Sequence, residues 1–592
     1  MKKTIILSAL ALSMTLVSCD DLFEPAIENN LGMDYMYDHP SYAEGILGNA
    51  YTRIPCGSYP FSEVATDDAV SNNTSDSWRK IAAGTWTSSN NPAETWTSCR
   101  AAIMYINLFL ANADKVTWAS DEVANTMYND REKGEAYGLR AMYMYYLLRA
   151  HGGLDANGNL LGVPIFTEPE TKDTENNVPR NTFAECIQAI NDDCEKALEL
   201  LPTAYGDLAE DDIEHVPAKY RQINATTTQY NRVFGSNFIG RMCGKYVEAF
   251  RAKASLLAAS PAFSASGVSY ETAADNFAVV LDRIGGPAGM DPNGATWYCN
   301  TSEIAALTGG DCPKEVMWRG EKSESNSLES DNYPPSIYGK GRINPTQNFV
   351  DAFPMSNGMP ISEAGSGYNA NAPYADRDPR LAQYVVLNGS KQGTANKEII
   401  TAVDGTNKDA LDNLAGSSTR TGYYLRKLLR PDINLDPKNT STQYHYNPRI
   451  RYTEMFLSYA EAANEAWGPT GKGAHNYSAY DVIKAIRERA GLGEFGDDPY
   501  LDECVQSKEK MRQLIRNERR IELSFEGFRF WDLRRWNLDL NETAKGMSIN
   551  AANGTYTTID VDTRSFKDYM TYGPVPYSEV LKFSNLQQNK GW

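Results

Sequence analysis

The chain has 592 residues, enough for a large core and for more than one domain. Charged residues make up 22 % and apolar residues 42 %, with 35 Tyr set among polar loops; this is the composition of a folded, exported protein and excludes a disordered one. A formal net charge of −19 opposes binding to a phosphate backbone, so nucleic acid is not an expected partner.

The N-terminus carries the first signal. Lys2 and Lys3 precede an apolar run from Ile5 to Val17. That run is too short to span a bilayer and fits a signal peptide over 1–18. It ends in Leu16-Val17-Ser18-Cys19, which resembles a bacterial lipobox. Cys19 is then the lipidated first residue, an anchor held by several acyl chains. Losing Lys2 and Lys3 with the peptide takes the charge from −19 to −21.

Helical periodicity follows in two blocks. Residues 97–116 and 135–153 read as a helix pair, with Leu139, Met142, Tyr146 and Arg149 on one face and Gly152 and Gly153 as the stop. Helices are expected at 183–202 and 240–261, each ending at Pro, and at 269–286, ending in paired Gly. Residues 287–440 are rich in Gly, Pro, Asn and Asp and read as loops with a few short strands or helices. Helices return at 451–468, with Met455, Tyr459, Ala462 and Ala466 on one face, then at 478–493 and 507–527. Paired amphipathic helices with small residues at their contacts suggest tetratricopeptide-like units, although the strict 34-residue signature is absent. The expected fold is mostly α.

Residues 516–536, RNERRIELSFEGFRFWDLRRW, hold six Arg in an acidic chain. On one helix, Met511, Leu514, Ile521, Phe525 and Phe528 form a stripe. Arg519 with Glu522, and Glu526 with Arg529, are three apart and spaced to pair. Glu518, Glu522, Glu526 and Asp532 largely offset the six Arg, so the expected role is an aromatic-packed helix tied to its neighbours by ion pairs, not a basic binding face.

Chemistry-bearing motifs are sparse. Beyond Cys19, eight Cys remain. Cys186 and Cys194 are eight apart on one helix, about 12 Å of rise and too far for a bridge. Cys299 and Cys312 flank a loop and are the candidates for a disulfide; buried free thiols are expected for most of the rest. The chain has five His and no C-x-x-C, H-E-x-x-H, G-x-S-x-G or P-loop pattern. Asp432, Asn434 and Asp436 open like a calcium loop, but Pro437 replaces the required Gly and no Glu closes it. Asp155, Asn157 and Asn159 are also a partial match; solvated loops are expected at both.

Several blocks carry a resemblance. ERRIELSFEGFRFWDLRRW (518–536) is similar to the C-terminal signature of the SusD/RagB family, glycan-binding lipoproteins of the Bacteroidetes surface. INPTQNFVDAFPMSNGMPI (343–361), APYADRDPRL (372–381), TRTGYYLRKLL (419–429), RYTEMFLSYAEAANEA (451–466), AIRERAGL (485–492) and the tail GPVPYSEVLKFSNLQQNKGW (573–592) resemble family blocks in the family's order. Asp20 and Asp21, directly after Cys19, resemble the family's surface-export signal. The resemblance implies about four tetratricopeptide-like helix pairs and an irregular, loop-rich lobe, divided here as an N-terminal helical part (19–286) and a C-terminal part (287–592). It also implies a SusC-like TonB-dependent outer-membrane transporter as partner, contacted by the helix-pair face, an oligosaccharide ligand and no catalysis. Some relatives bind calcium, which keeps that ion open as a cofactor. A surface adhesin, a structural lipoprotein and a glycoside hydrolase are the alternatives.

Sugar rings stack their C–H faces on aromatic side chains, and polar side chains bond their hydroxyls. Aromatics on polar loops are therefore the candidate ligand contacts: Trp78 beside Asn72, Asn73 and Asp76; Trp297 and Tyr298; and Tyr333 and Tyr338 beside Arg342. Trp96 and Trp318 lie in apolar context and are expected in the core. Trp467, Trp531, Trp536 and Trp592 are expected to pack.

Overall fold

A computed structural model describes residues 32–55, 58–171, 173–493 and 497–592. The signal peptide, Cys19, Asp20, Asp21 and Cys56 lie outside the described residues. Of the described residues, 44 % are helical and 10 % lie in strands, the mostly α fold expected.

Eight helices stack in sequence order: α1 (Pro40–Tyr51), α2 (Trp96–Leu110), α3 (Glu122–His151), α4 (Phe183–Leu200), α5 (Gly244–Ala259), α6 (Tyr270–Asp282), α7 (Tyr452–Trp467) and α8 (Ala479–Arg489). Each packs on the next, which gives four pairs; α9 (Lys508–Glu522) closes the stack against α7. Local chemistry sets the starts. Thr182 with Glu185 and Ser478 with Asp481 form capping boxes, and Ser269 and Ser507 each accept a backbone N–H of the first turn.

Two helices depart from the sequence reading. Helix α3 begins at Glu122, not 135. Its early turns bury Arg131, Glu132 and Glu135, which a pattern reading takes for a solvated face. Arg241 bonds Glu135 at 2.7 Å and Glu132 at 3.2 Å, while Tyr51 and Tyr205 donate to Glu135. Helix α1 was not expected, although Ala43, Ile46, Leu47 and Ala50 are its buried face.

The remainder forms an irregular lobe whose sheets, among the described residues, are all two-stranded and antiparallel. Ala69–Ser71 pairs with Ile343–Pro345, which draws an N-terminal loop into the middle of the chain. Two cores result. One lies within the helix stack; the other gathers Val64, Trp86, Trp297, Phe349, Tyr384 and Phe530.

The Arg-rich stretch spans both cores. Met511, Leu514 and Ile515 pack into the helix stack; Ile521, Phe525, Phe530 and Leu533 pack into the lobe. The single stripe expected over 507–527 does not persist, because α9 stops at Glu522 and Phe525 takes a left-handed φ of 62°. Helix α10 (Arg529–Arg535) follows.

The expected pairs within the segment are also replaced. Arg519 bonds Asp532, Glu522 accepts from Arg380 and Arg489, Glu526 accepts from Lys427 and Arg451, and Arg529 reaches Asp67. With both sides of the segment buried, all of these but Arg519 with Asp532 reach distant segments. Breaking one such buried pair costs about 3–5 kcal/mol.

Candidate functional site

The sequence-predicted contacts separate in space. Trp297 is 1 % exposed, its ring between Tyr298 and Tyr446 at 5.7 and 5.5 Å. Tyr298 is buried, and so is Tyr333, whose hydroxyl donates to the Arg430 carbonyl. The expectation of solvent-facing rings at Trp297, Tyr298 and Tyr333 is thus replaced: these rings fill the lobe, and their Asn and Gly neighbours shape turns around a core. Trp96, Trp318 and Trp536 are buried as expected, while Trp531 is half-buried and lines a cleft.

Asn72, Tyr338 and Arg342 do come together on joined loops. The Asn72 amide nitrogen of the backbone donates to the Arg342 carbonyl, and its side chain donates to the carbonyls of Lys340 and Gly341. Arg342 donates to the Gly416 carbonyl at 3.0 Å. Tyr338 is 56 % exposed with φ 68°, a left-handed conformation that costs a non-glycine residue free energy.

Trp78, 8 % exposed, packs edge-on against Phe530 at 5.4 Å and lines a cleft of ≈ 310 Å³ between helix stack and lobe. One wall is apolar: Tyr59, Pro60, Trp78, Phe528 and Trp531. The other is charged. Lys253 on α5 pairs with Glu454 on α7 at 2.8 Å, and Arg451 pairs with Glu526 at 2.7 Å. Burial alone raises the Glu526 carboxyl, but Arg451 and Lys427 outweigh it and hold it below the usual range. Glu454 and Glu526 are committed to cations; Glu94, the third lining carboxylate, is exposed and accepts the Thr97 backbone N–H at 2.8 Å. Arg149 and Arg449 also line it. The arrangement offers ring faces and N–H donors side by side, a combination suited to polyhydroxylated ligands. Sequence reasoning missed this cleft because its parts lie on segments hundreds of residues apart.

The partial calcium loops are self-satisfied turns. Asp155 accepts from the backbone of Asn157 and Asn159, and Asp432 pairs with Arg430. No group of three or more His, Cys, Asp or Glu placed to hold a metal occurs among the described residues. The seven described Cys are free, so Cys299 and Cys312 are not bridged. No helix among the described residues is long and apolar enough to cross a membrane.

Residues 314–592 match the sequence model of the SusD family, and residues 44–219 match a second model, described as "Starch-binding associating with outer membrane". SusD-like protein P2 of Formosa agariphila is 27 % identical over 247 residues, 41 % of this chain and 44 % of that protein, so the match spans less than half of this curated relative. A crystal structure of a SusD-like protein from Bacteroides fragilis superposes with TM-score 0.69 at 22 % identity, covering 96 % of this chain and 100 % of the other. A second B. fragilis structure, titled a SusD-like carbohydrate binding protein, gives TM-score 0.65 at 21 % identity over 93 % of this chain and 100 % of the other.

Proposed function

Because this chain belongs to the SusD family, we propose that it is a non-catalytic, outer-membrane glycan-binding lipoprotein that passes its ligand to a SusC-like TonB-dependent transporter. The observation that carries this reading is the cleft between helix stack and lobe, where aromatic and proline surfaces face N–H donors. Two of its three lining carboxylates, Glu454 and Glu526, are tied up by Lys253 and by Lys427 and Arg451; the third, Glu94, is exposed and pairs with no cation among the described residues. That leaves one unpaired lining carboxylate and supports binding without hydrolysis, since glycoside hydrolysis generally takes a pair of carboxyl groups. The description of the second family model supports residence at the outer membrane, with Cys19 as the lipid anchor. The stacked helix pairs offer the face for the transporter. Within the cleft, Trp78 and Tyr59 provide the apolar floor; the exposed Tyr338, with Arg342, is a separate candidate contact.

Calorimetric titration of the full chain with oligosaccharides tests this, with reducing ends assayed afterwards. Saturable binding, weakened at least ~tenfold by Tyr59→Ala, with no new reducing ends is the expected result; about 1.4 kcal/mol of stacking accounts for that loss. Growth of reducing ends would refute the non-catalytic part.

A further inference from the structure

Arginine is handled in two ways at the seam between the cores. Arg380, Arg451, Arg487, Arg489, Arg519 and Arg535 each meet a carboxylate at 2.5 to 2.8 Å. Two of the three arginines lining the cleft, Arg149 and Arg449, have no side-chain hydrogen bond or ion pair with any described residue, in a chain with 76 acids against 57 bases. Each guanidinium instead lies over an indole: Arg149 is 4.2 Å from the Trp531 ring centroid, and Arg449 is 4.6 Å from that of Trp318.

Stacking occupies the face of a guanidinium and leaves its in-plane N–H groups free. The Arg149 Nε is shut off from water and has no partner. A cavity of ≈ 50 Å³ shares Arg149, Lys253 and Trp531 with the cleft and adds Arg534. Arg534 donates Nε to the Met570 and Thr571 carbonyls and leaves Nη1 buried and unpartnered. Burial first, then the charge of Arg149, pushes the Arg534 guanidinium down to about 9. Two guanidiniums without a carboxylate partner, Arg149 and Arg534, therefore lie together at this end, while one unpaired carboxylate, Glu94, stands in the cleft lining. The remaining lining cations, Lys253 and Arg451, are already matched by Glu454 and Glu526.

We infer that the cleft selects saccharides bearing an oxyanion, a uronate carboxylate or a sulfate ester, received by the N–H edges of Arg149 and Arg449. A planar, indole-backed guanidinium suits a two-oxygen anion, because its orientation is set before the ligand arrives. This rests on the capture reading and narrows it from glycans in general to acidic ones.

The test pairs each anionic ligand with a neutral twin. The full chain is titrated with oligogalacturonate and its methyl ester, and with κ-carrageenan oligosaccharides and their desulfated form. The charged member of at least one pair binds at least ~tenfold more tightly, about 1.4 kcal/mol; the pair that discriminates identifies carboxylate or sulfate. Arg149→Gln and Arg449→Gln each remove most of that discrimination. Arg149→Lys and Arg449→Lys, which keep charge but lose the fork, remove part of it and cover the case in which a Gln variant fails to fold. Equal binding of charged and neutral twins overturns the inference and leaves the capture reading standing. Discrimination that survives all four substitutions also overturns it. An absence of binding by every member of both pairs overturns the inference and counts against capture itself.

Discussion

Glu522→Gln removes a charge at the centre of the seam without changing shape. The carboxylate is fully buried; Oε1 accepts from Arg380 at 2.9 Å and Oε2 from Arg489 at 2.8 Å. Burial alone would raise this carboxyl. Arg489, Arg380 and Arg451 outweigh burial and take it from 4.5 to about 2. At 1.36 kcal/mol per pH unit, that fall contributes about 3 kcal/mol of stability at neutral pH. The general cost of breaking a buried pair, about 3–5 kcal/mol, agrees. Because the folded value is depressed, the contribution is complete above pH 4.5 and disappears as pH falls toward 2. Urea unfolding at pH 7, followed by circular dichroism, should place the variant about 3 kcal/mol below the wild type, with the gap narrowing below pH 4.5. A gap under about 0.5 kcal/mol at pH 7, in the range of an ordinary surface substitution, would refute the reasoning.

Other outcomes follow from the same geometry. His151 is buried, with Nε2 accepting from the Thr95 N–H and Nδ1 against the Pro574 carbonyl at 2.7 Å. Burial takes its imidazole from 6.5 to about 4. The unfolded chain therefore gains a proton first, and stability falls as pH drops from 6.5 toward 4, by about 2 kcal/mol at pH 5; His151→Gln should lack that part of the slope in urea titrations across this range. Thr182→Ala deletes the α4 capping box and should cost about 1 kcal/mol by urea midpoint. Peptide mapping after alkylation of the denatured, unreduced chain should find Cys99, Cys186, Cys194, Cys243, Cys299, Cys312 and Cys504 as free thiols.

The legibility of the chain varies with the physics at each position. Helices α4 to α8 lie close to where periodicity and the Pro and Gly stops place them, because their apolar faces are continuous; Thr182, Ser269 and Ser478 also cap α4, α6 and α8 locally. The first half of α3 is opaque for the opposite reason: Arg131, Glu132 and Glu135 are buried but charged, and pairing with Arg241 is invisible until the fold brings it near. The Arg-rich stretch reads correctly as an ion-paired packing segment. Its partners do not, since Asp67, Arg380 and Arg451 come from outside the segment. The candidate site is the least legible. Polar neighbours suggest exposure for Trp297 and Tyr333, whereas the lobe core claims both rings. The cleft is assembled from Tyr59, Trp78, Arg149, Arg449 and Trp531, none of which marks it alone.

The central claim is capture of a glycan without cleavage, and its most direct test is titration of the full chain with neutral and acidic oligosaccharides, repeated with Tyr59→Ala and followed by a reducing-end assay. The account predicts saturable heat for at least one oligosaccharide, loss of most of it in Tyr59→Ala, and no new reducing ends. Binding that Tyr59→Ala leaves intact, or release of reducing ends, would contradict it.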